Sequence, residues 1–290
     1  MKVLVIGYGS MGQRHATNAQ ALGHQVCATD IRTDLSHEPV LWAVSLTDGL
    51  SWQPDAVLIA TPAATHERVA KDLVAHAYHG PLFVEKPLAV SEDETGVFVE
   101  WPHLVTMTGY NLRWHPGILA FQRALLSIGR AVCATAHVFC DMNTWPGRHY
   151  TDPLLECSHE IDLVTHIFGP GYVAGMTSRP LMRTVLLQHA LTTSTVTLYV
   201  DYRGYSRGVA AVGPDGVLSL AWDPAVRYWR LTGPGVNCGD WAFDYEDTYR
   251  AELAHFLECV TYERPTDCPF TDGLTVLRLC TIAMDWSQEA

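Results

Sequence analysis

The sequence predicts an α/β domain with a doubly wound parallel sheet, followed by an α+β domain with a largely antiparallel open sheet. In roughly the first 110 residues, short apolar runs of strand length alternate with helix-compatible stretches. After about Arg113, strand-like runs follow one another directly, as in an antiparallel sheet. The chain has 290 residues, of which 48% are hydrophobic and 17% charged, so it can bury two cores of ordinary size.

The first domain is predicted from four apolar runs of the buried-strand type. They are Val3–Ile6, Gln25–Thr29, Ala56–Ala60 and Leu82–Glu85. Right-handed crossovers would stack such strands into one twisted sheet with helices on both faces. Because no long linker follows, we expect a first domain at residues 1–112 and a second at residues 113–290.

The second domain is predicted from two helices, six strand-like runs and two closing helices. The helices are Pro116–Ile128, about 158–168, about 245–262 and about 272–288. The runs are Val132–Cys140, Thr184–His189, Thr193–Tyr202, Gly208–Val212, Val217–Trp222 and Val226–Leu231, with a hairpin turn at Pro214-Asp215-Gly216. These runs hold more apolar and aromatic residues than one covering helix can bury. We therefore expect the open face of this sheet to form the interface of a homodimer or homotetramer.

Composition and charge exclude several classes of protein. The formal net charge is −12 and there is no run of Lys or Arg, which argues against nucleic acid as a partner. No apolar stretch reaches the roughly 20 residues of a membrane span, and the run Val3–Ile6 ends at Gly7, too early for a signal peptide. The eight cysteines form no CxxC pair, so reduced thiols and a cytoplasmic location are expected.

A glycine-rich turn follows the first predicted strand. Gly7-Tyr8-Gly9-Ser10-Met11-Gly12 fits the pattern G-x-G-x-x-G and opens a helix-compatible stretch. The first glycine makes the tight turn, the second lets the backbone approach a pyrophosphate, and the third lets helix and strand pack closely. An acidic residue, Asp30, closes the next strand eighteen residues after Gly12. Together these features predict a dinucleotide-binding Rossmann domain.

Asp30 also favours NAD over NADP as the cofactor. Its carboxylate is expected to accept hydrogen bonds from the adenosine ribose and to repel the additional phosphate of NADP. Arg32, two residues further on, could instead hold that phosphate. We favour a solvated surface position for Arg32, and NAD as the cofactor.

A metal site is not predicted, although the chain has fourteen histidines. His159-Glu160 followed by His166 superficially resembles a zinc-protease helix, but that motif needs histidines four residues apart. Here they are seven apart, which separates them by roughly 10 Å on one helical face. Asp162 could lie between them as a further ligand.

The chain resembles the Gfo/Idh/MocA oxidoreductases, the family of glucose-fructose oxidoreductase and inositol dehydrogenase. Four motifs carry the resemblance, and a fifth, weaker motif is Leu154–Asp162. The motifs are most similar to the motifs of the family branch that is found in sugar-processing and surface-polysaccharide pathways. The four are the glycine turn continued to Gln13-Arg14-His15, Ile59-Ala60-Thr61-Pro62-Ala63-Ala64-Thr65-His66, Val84-Glu85-Lys86-Pro87, and Gly109-Tyr110-Asn111-Leu112-Arg113-Trp114-His115-Pro116.

The resemblance implies that Lys86 lies beside the nicotinamide and hydrogen-bonds the reacting oxygen. An ammonium there would stabilise the negative charge that this oxygen gains as hydride is transferred. Lys86 directly follows a buried-type strand, at the carboxyl edge where such sheets bind ligands. The predicted cofactor-binding residues are Gly7, Tyr8, Gly9, Ser10, Met11, Gly12, Asp30, Arg32, Thr61, Pro62, His66, Glu85 and Lys86.

The fifth motif supplies the candidate general base, His159, since imidazole titrates near neutrality. Asp162, three residues later, would share a helical face with it and orient the ring or contribute to binding. The alternative for His159 is a capping or core histidine. The motif departs from the family here: many relatives carry Asp where this chain has Leu155, and Tyr150–Pro153 replaces a glycine-rich run.

The substrate pocket is expected to begin where the chain leaves the first domain. Polar groups at a domain junction suit a ligand rich in hydroxyl groups. Residues 145–149 would line the far wall of this pocket, where an aromatic ring can stack on the ligand and a charged side chain can bind it. The predicted substrate-binding residues are Lys86, Tyr110, Asn111, Arg113, Trp145, Arg148 and His159, with His149 as a further candidate.

The sequence thus predicts NAD-dependent hydride transfer to or from a secondary hydroxyl or carbonyl of a sugar, cyclitol or nucleotide-linked sugar. Two alternatives stay open. One is a redox-neutral epimerase or lyase that uses bound NAD transiently, and the other is a dinucleotide-binding sensor or co-repressor without turnover.

Overall fold

The computed structural model describes residues 1–32, 40–141, 153–179, 181–223, 228–236, 240–242 and 245–286. Internal packing divides the chain into two compact units. The first comprises residues 1–111 and 248–275, and the second comprises residues 112–247 and 276–290. In the described residues, no helix is both long and apolar enough to cross a membrane.

The helices and strands alternate in the first third of the chain, and strands dominate the middle. The strands are β1 Lys2–Ile6, β2 Gln25–Thr29, β3 Leu41–Trp42, β4 Ala56–Ile59, β5 Leu82–Glu85, β6 Thr106–Gly109, β7 Cys133–Asp141, β8 Gly171–Arg179, β9 Met182–His189, β10 Thr193–Tyr199, β11 Asp201–Gly213, β12 Gly216–Asp223, β13 Tyr228–Thr232 and β14 Asp240–Ala242. The helices are α1 Ser10–Ala21, α2 Leu46–Ser51, α3 His66–Ala75, α4 Gly96–Val99, α5 Pro116–Ala124, α6 Pro153–Glu156, α7 Ser158–Phe168, α8 Tyr245–Thr261 and α9 Phe270–Trp286.

The first unit contains a parallel sheet, which in the described residues has six strands in the order β3-β2-β1-β4-β5-β6. Every residue of β4 and β5 is buried, as expected for strands covered on both faces. The order reverses at β1, which lies between β2 and β4. Ligands bind such sheets at the carboxyl ends of the strands beside this reversal. The predicted parallel, doubly wound sheet is confirmed.

The chain returns to the first unit near its end. Phe256 of α8 packs edge-on against Phe83 of β5, with ring centroids 5.7 Å apart, and Thr266 donates a hydrogen bond to the carbonyl oxygen of Thr106. Residues 248–275 therefore pack with the first unit, because they bury apolar side chains of its sheet. This differs from the continuous second domain that the sequence predicted.

The second unit contains a mixed, mostly antiparallel sheet. Its described part has eight strands in the order β14-β13-β12-β11-β7-β10-β9-β8, and β7 and β10 pair in parallel. The largely antiparallel open sheet is confirmed. The predicted turn is also confirmed, because Gly213 pairs with Gly216 across a hairpin whose loop is Pro214-Asp215.

Some strand bounds differ from the prediction. The run predicted as Thr193–Tyr202 ends at Tyr199, and β11 begins at Asp201 and continues through the run predicted as Gly208–Val212. Four strands, β3, β6, β8 and β14, were not predicted, because they are short or mix polar and glycine residues with apolar ones.

One face of the second sheet forms the core of its unit. Alternate residues of β7 are buried, as the two-residue period of a strand requires. One of them, Ala134, packs in an apolar cluster with side chains of α5, α7 and the strands β11, β12 and β13. Its buried members are Ile118, Phe121, Ile128, Ala134, Leu163, Val209, Ala211, Leu218, Leu220, Trp229 and Leu231.

Candidate functional site

The glycine turn connects β1 to α1, and two of its glycines are required by close packing. Gly7 has a φ of +88°, and a Cβ built on it would lie 2.7 Å from Cγ2 of Thr61. A Cβ on Gly12 would lie 1.9 Å from the carbonyl oxygen of Gly7. A side chain at either position would therefore collide with the turn or with the end of β4.

Gly9 differs, because a Cβ built there would meet nothing within 4 Å. Gly9 is the N-cap of α1, which has no side-chain cap and no acidic residue in its first turn. The first bond of the helix runs from the N–H of Gln13 to the carbonyl of Gly9 at 2.9 Å, so the N–H groups of Ser10 and Met11 precede it. Open space and unused N–H donors at a helix N-terminus fit the pyrophosphate of a dinucleotide.

Asp30 follows β2 and is bonded to the same turn. Its Oδ2 accepts the N–H of Tyr8 at 2.6 Å, and its Oδ1 accepts Nε of Arg32 at 3.0 Å. Nη2 of Arg32 also donates to the carbonyl of Tyr8 at 2.9 Å. Burial raises the pKa of Asp30, but the hydrogen bonds from Arg32 and Tyr8 and the charge of Arg32 lower it more, so its pKa is below the ordinary value. Arg32 is half exposed and ion-paired, a partner that the sequence did not indicate.

Lys86 directly follows β5 and is half-buried. The Oε2 atom of the preceding Glu85 accepts the backbone N–H of Lys86 at 3.2 Å, and its Oε1 atom lies 2.6 Å from Nε2 of His15 on α1. The next carbonyl, that of Pro87, lies 3.0 Å from Nδ1 of His66. The structure thus brings the predicted residues Glu85, Lys86 and His66 together.

The loop after β4 belongs to the same group of contacts. Nε2 of His66 lies 2.8 Å from the carbonyl oxygen of Thr61, whose hydroxyl accepts a bond from Thr65 at 2.9 Å. Pro62 precedes a short 3-10 turn that leads into α3. His15 received no role from the sequence, although it stands in the first family motif, directly after Gln13-Arg14.

In the second unit, His159 is the second residue of α7 and is half-buried. Asp162, on the same helix, has no exposed surface and is bonded to Arg113, which is 5% exposed. The Nε atom of Arg113 lies 3.1 and 3.0 Å from the two carboxylate oxygens, and its Nη2 lies 2.5 Å from Oδ1. Two residues predicted for catalysis and substrate binding are therefore bonded to each other.

A second buried ion pair attaches the same helix to the sheet. Oε1 of Glu160, next to His159, lies 2.5 Å from Nε of Arg207 on β11. The sequence did not predict this pair, because the two charges stand 47 residues apart. The helix that carries His159 is thus held by two buried carboxylates.

Asn111 and His115 of the fourth motif have hydrogen-bond partners, and Tyr110 of the same motif is in the core. Nδ2 of Asn111 donates to the hydroxyl of Thr248 at 2.7 Å, and Tyr110 is fully buried. His115 is the N-cap of α5, where its Nδ1 accepts the N–H of Gly117 at 2.9 Å. Burial, assisted by the charge of Arg207, lowers the pKa of His115 to about 3.

The predicted far wall of the substrate pocket, with Trp145, Arg148 and His149, lies outside the described residues. Among the residues that the structure does describe, no group of three or more His, Cys, Asp or Glu side chains is arranged to hold a metal ion.

The first part of the chain is similar to a known protein family. Residues 1–100 match the model of the Gfo/Idh/MocA family, an oxidoreductase family with an NAD-binding Rossmann fold. A comparison with curated protein sequences gives no significant match.

Solved structures share the fold over the whole chain. One is UDP-N-acetylglucosamine 3-dehydrogenase from Acidithiobacillus ferrooxidans, with a TM-score of 0.82, 21% identity and coverage of 100% of this chain and 98% of that one. Another is myo-inositol dehydrogenase from Lactobacillus casei in complex with NAD(H) and myo-inositol, with a TM-score of 0.79, 20% identity and coverage of 100% and 94%. A third is levoglucosan dehydrogenase in complex with NADH and levoglucosan, with a TM-score of 0.80, 16% identity and coverage of 100% and 97%. Residues 1–100 are thus similar to the NAD-binding Rossmann fold of the Gfo/Idh/MocA oxidoreductase family, and the whole chain shares its two-part fold with these dehydrogenases.

Proposed function

We propose that the protein transfers hydride between NAD and a secondary hydroxyl or carbonyl of a sugar, cyclitol or nucleotide-linked sugar. The observation that carries this proposal is the position of Lys86, a half-buried cation at the carboxyl end of β5 whose backbone N–H is held by Glu85. Dehydrogenases of similar fold are named for UDP-N-acetylglucosamine, myo-inositol and levoglucosan, all of which carry several hydroxyl groups.

The cofactor would be held by the turn between β1 and α1. In this proposal the N–H groups of Ser10 and Met11 bind the pyrophosphate in the open space over Gly9, and Asp30 accepts the ribose hydroxyls. Because the pKa of Asp30 is lowered, its carboxylate is charged at neutral pH and would repel the additional phosphate of NADP. Arg32 is bonded to this carboxylate, which favours NAD over NADP.

Oxidation of a hydroxyl group by hydride transfer requires a cation to hold the oxygen and a base to take the proton. NAD, when bound, would supply the hydride acceptor. The ammonium of Lys86 would hold the hydroxyl oxygen and stabilise its developing negative charge, and His159 would take the hydroxyl proton. Because Asp162 is fully buried against Arg113, we propose that both residues act by holding α7 in place rather than by contacting the substrate.

A substrate panel tests the proposed function. Purified protein is mixed with NAD or NADP and with myo-inositol, levoglucosan or UDP-N-acetylglucosamine, and NADH formation is followed by absorbance. We expect reduction of NAD, faster than that of NADP, with at least one compound. No reduction, combined with release of NAD(H) on denaturation, would indicate the epimerase or lyase. No reduction and no released cofactor would indicate the sensor.

We also propose that the open face of the second sheet forms a homodimer or homotetramer interface. Phe139 and Tyr199 lie on the face opposite the core with ring centroids 6.3 Å apart, and Val212 and Val217 are 37% and 52% exposed. Apolar area of this kind is buried in symmetric assemblies. Light scattering should give two or four times the chain mass of 32.1 kDa, and a monomer mass at micromolar concentration would contradict the proposal.

A further inference from the structure

We propose that His15 and His66 are positioning residues for Lys86, and we call these two buried imidazoles the histidine brace. One comes from α1 and the other from the start of α3, and they hold the segment Glu85–Pro87 at its two ends. This inference rests on the proposed function in one respect, namely that Lys86 has a catalytic role beside the cofactor.

The first half of the brace acts through Glu85. His15 has no exposed surface, and its Nε2–H donates to Oε1 of Glu85 at 2.6 Å, while the other carboxylate oxygen accepts the N–H of Lys86 at 3.2 Å. A buried carboxylate without such a donor would be strongly unfavourable. Gly109 on β6 leaves room for it, since a Cβ there would lie 3.2 Å from Oε2. The imidazole therefore determines where the carboxylate, and with it the start of the Lys86 segment, is placed.

The second half holds the other end of the segment. His66 is fully buried, with Nδ1 3.0 Å from the carbonyl of Pro87 and Nε2 2.8 Å from that of Thr61. Burial lowers the pKa of His66, although the two carbonyls and the charge of Glu85 oppose this shift. The two ring nitrogens thus each face a carbonyl oxygen, one from each loop. The ring thereby connects the loop after β4 to the loop after β5.

The brace connects Lys86 to the turn that is proposed to hold the cofactor. His15 stands on the helix that begins at the glycine turn, and Thr61 is the residue against which a side chain at Gly7 would collide. Holding the backbone on both sides of Lys86 restricts the positions open to its ammonium. Misplacement of a reacting group by about 1 Å can lower a rate by about a hundredfold, so this restriction bears directly on hydride transfer.

The lysine content of the chain allows a direct measurement on Lys86. The chain has three lysines, Lys2, Lys71 and Lys86. Changing Lys2 and Lys71 to Arg leaves Lys86 as the only lysine. Reductive methylation with ¹³C-formaldehyde then places a dimethyl label on its Nζ without removing the charge. The expected NMR spectrum has one lysine signal, shifted from that of a solvated lysine and shifted again when NAD is added.

Two pairs of variants test the brace in this background. His15→Leu and His66→Leu should move the Lys86 signal towards the solvated position and lower kcat about tenfold, with little change in the Kd for NADH. His15→Gln and His66→Asn keep an amide donor and should restore both readouts. The matched control is His189→Leu, which removes a buried imidazole bonded to Gly169 and Ser194 in the second unit and should leave the signal unchanged.

The outcomes separate the brace from the proposed function. Folded Leu variants that keep the wild-type Lys86 signal would overturn the brace, as would an equal shift in the His189 control. If the Leu variants do not fold, Glu85→Ala replaces them, because it removes the acceptor for both His15 and the N–H of Lys86, and an unmoved signal there has the same meaning. If NAD leaves the signal of the unaltered protein unmoved, the proposed role of Lys86 fails, and the brace is then judged by the variants alone.

Discussion

In the first unit the buried carboxylate of Glu85 holds the main chain, whereas in the second unit the buried carboxylates of α7 hold arginine side chains. Glu85 accepts the N–H of the residue that follows it. Asp162 and Glu160 instead pair with Arg113 and Arg207, which are 49 and 47 residues away along the chain. The first arrangement fixes a segment of main chain, with His15 bonded to the other oxygen of Glu85, and the second joins side chains of distant segments.

This difference predicts two kinds of sensitivity. In the first unit, small changes of shape should impair binding or catalysis before they unfold the protein. In the second unit, removing one partner of a buried ion pair leaves an uncompensated charge, which costs more than the loss of both partners. The predictions below test this contrast, beginning with the largest expected effect.

Arg113→Met should lower the free energy of unfolding by about 3–5 kcal/mol, because the carboxylate of Asp162 is left buried and unpaired. The double variant Arg113→Met/Asp162→Leu removes both charges and should regain part of that loss. Urea denaturation of the single and double variants measures both. A single variant as stable as the wild type would show that the pair does not hold α7.

Lys86→Met should reduce turnover about a hundredfold or more, which corresponds to about 3 kcal/mol of transition-state stabilisation. The affinity for NAD should change little, since the glycine turn and Asp30 are proposed to carry most of it. Steady-state kinetics with the substrate found in the panel, together with NADH fluorescence titration, measures the two effects. Unchanged turnover would remove Lys86 from the mechanism.

Acid should destabilise the second unit through His115. Its pKa is about 3 in the folded protein against the ordinary 6.5, so the unfolded chain binds a proton that the folded chain does not. The free energy of unfolding therefore keeps this contribution of the neutral imidazole above pH 6.5 and loses it as the pH falls towards 3. The loss is about 1.4 kcal/mol per pH unit, and it amounts to about 2 kcal/mol by pH 5. His115→Asn keeps an N-cap acceptor but cannot titrate. Its unfolding free energy should depend less on pH between 6.5 and 5, and an equal dependence would contradict the assignment.

Two glycines of one turn provide the smallest and most local test. Gly12→Ala places a methyl group against the carbonyl of Gly7 and should cost about 1–3 kcal/mol of stability. Gly9→Ala meets no neighbour and should change stability by less than about 0.5 kcal/mol, while weakening NAD binding about tenfold. Thermal unfolding and NADH titration separate the two variants. Equal NAD affinity in Gly9→Ala and the wild type would argue against pyrophosphate over Gly9.

Much of the fold could be predicted because its determinants are local. The apolar runs at β2 and β5 were predicted with the bounds that the structure has, and the roles expected for the glycines at positions 7 and 12 match their packing. A tight turn, a buried strand and a hairpin each depend on a few consecutive residues, so their sequence patterns are sufficient. The short strands β3 and β6 have too few residues for such a pattern, and neighbouring strands determine them instead.

The sequence by itself determined the parallel and antiparallel halves, the glycine turn and the position of Lys86 after a buried strand. Only the tertiary structure decided which charges meet: Asp30 with Arg32, His15 with Glu85, and Asp162 with Arg113. A sequence shows how many charged side chains there are but not how they pair, because ion pairs and hydrogen bonds act over a few ångströms in space. Residues separated by 49 or 70 positions meet only after the sheets and helices have packed.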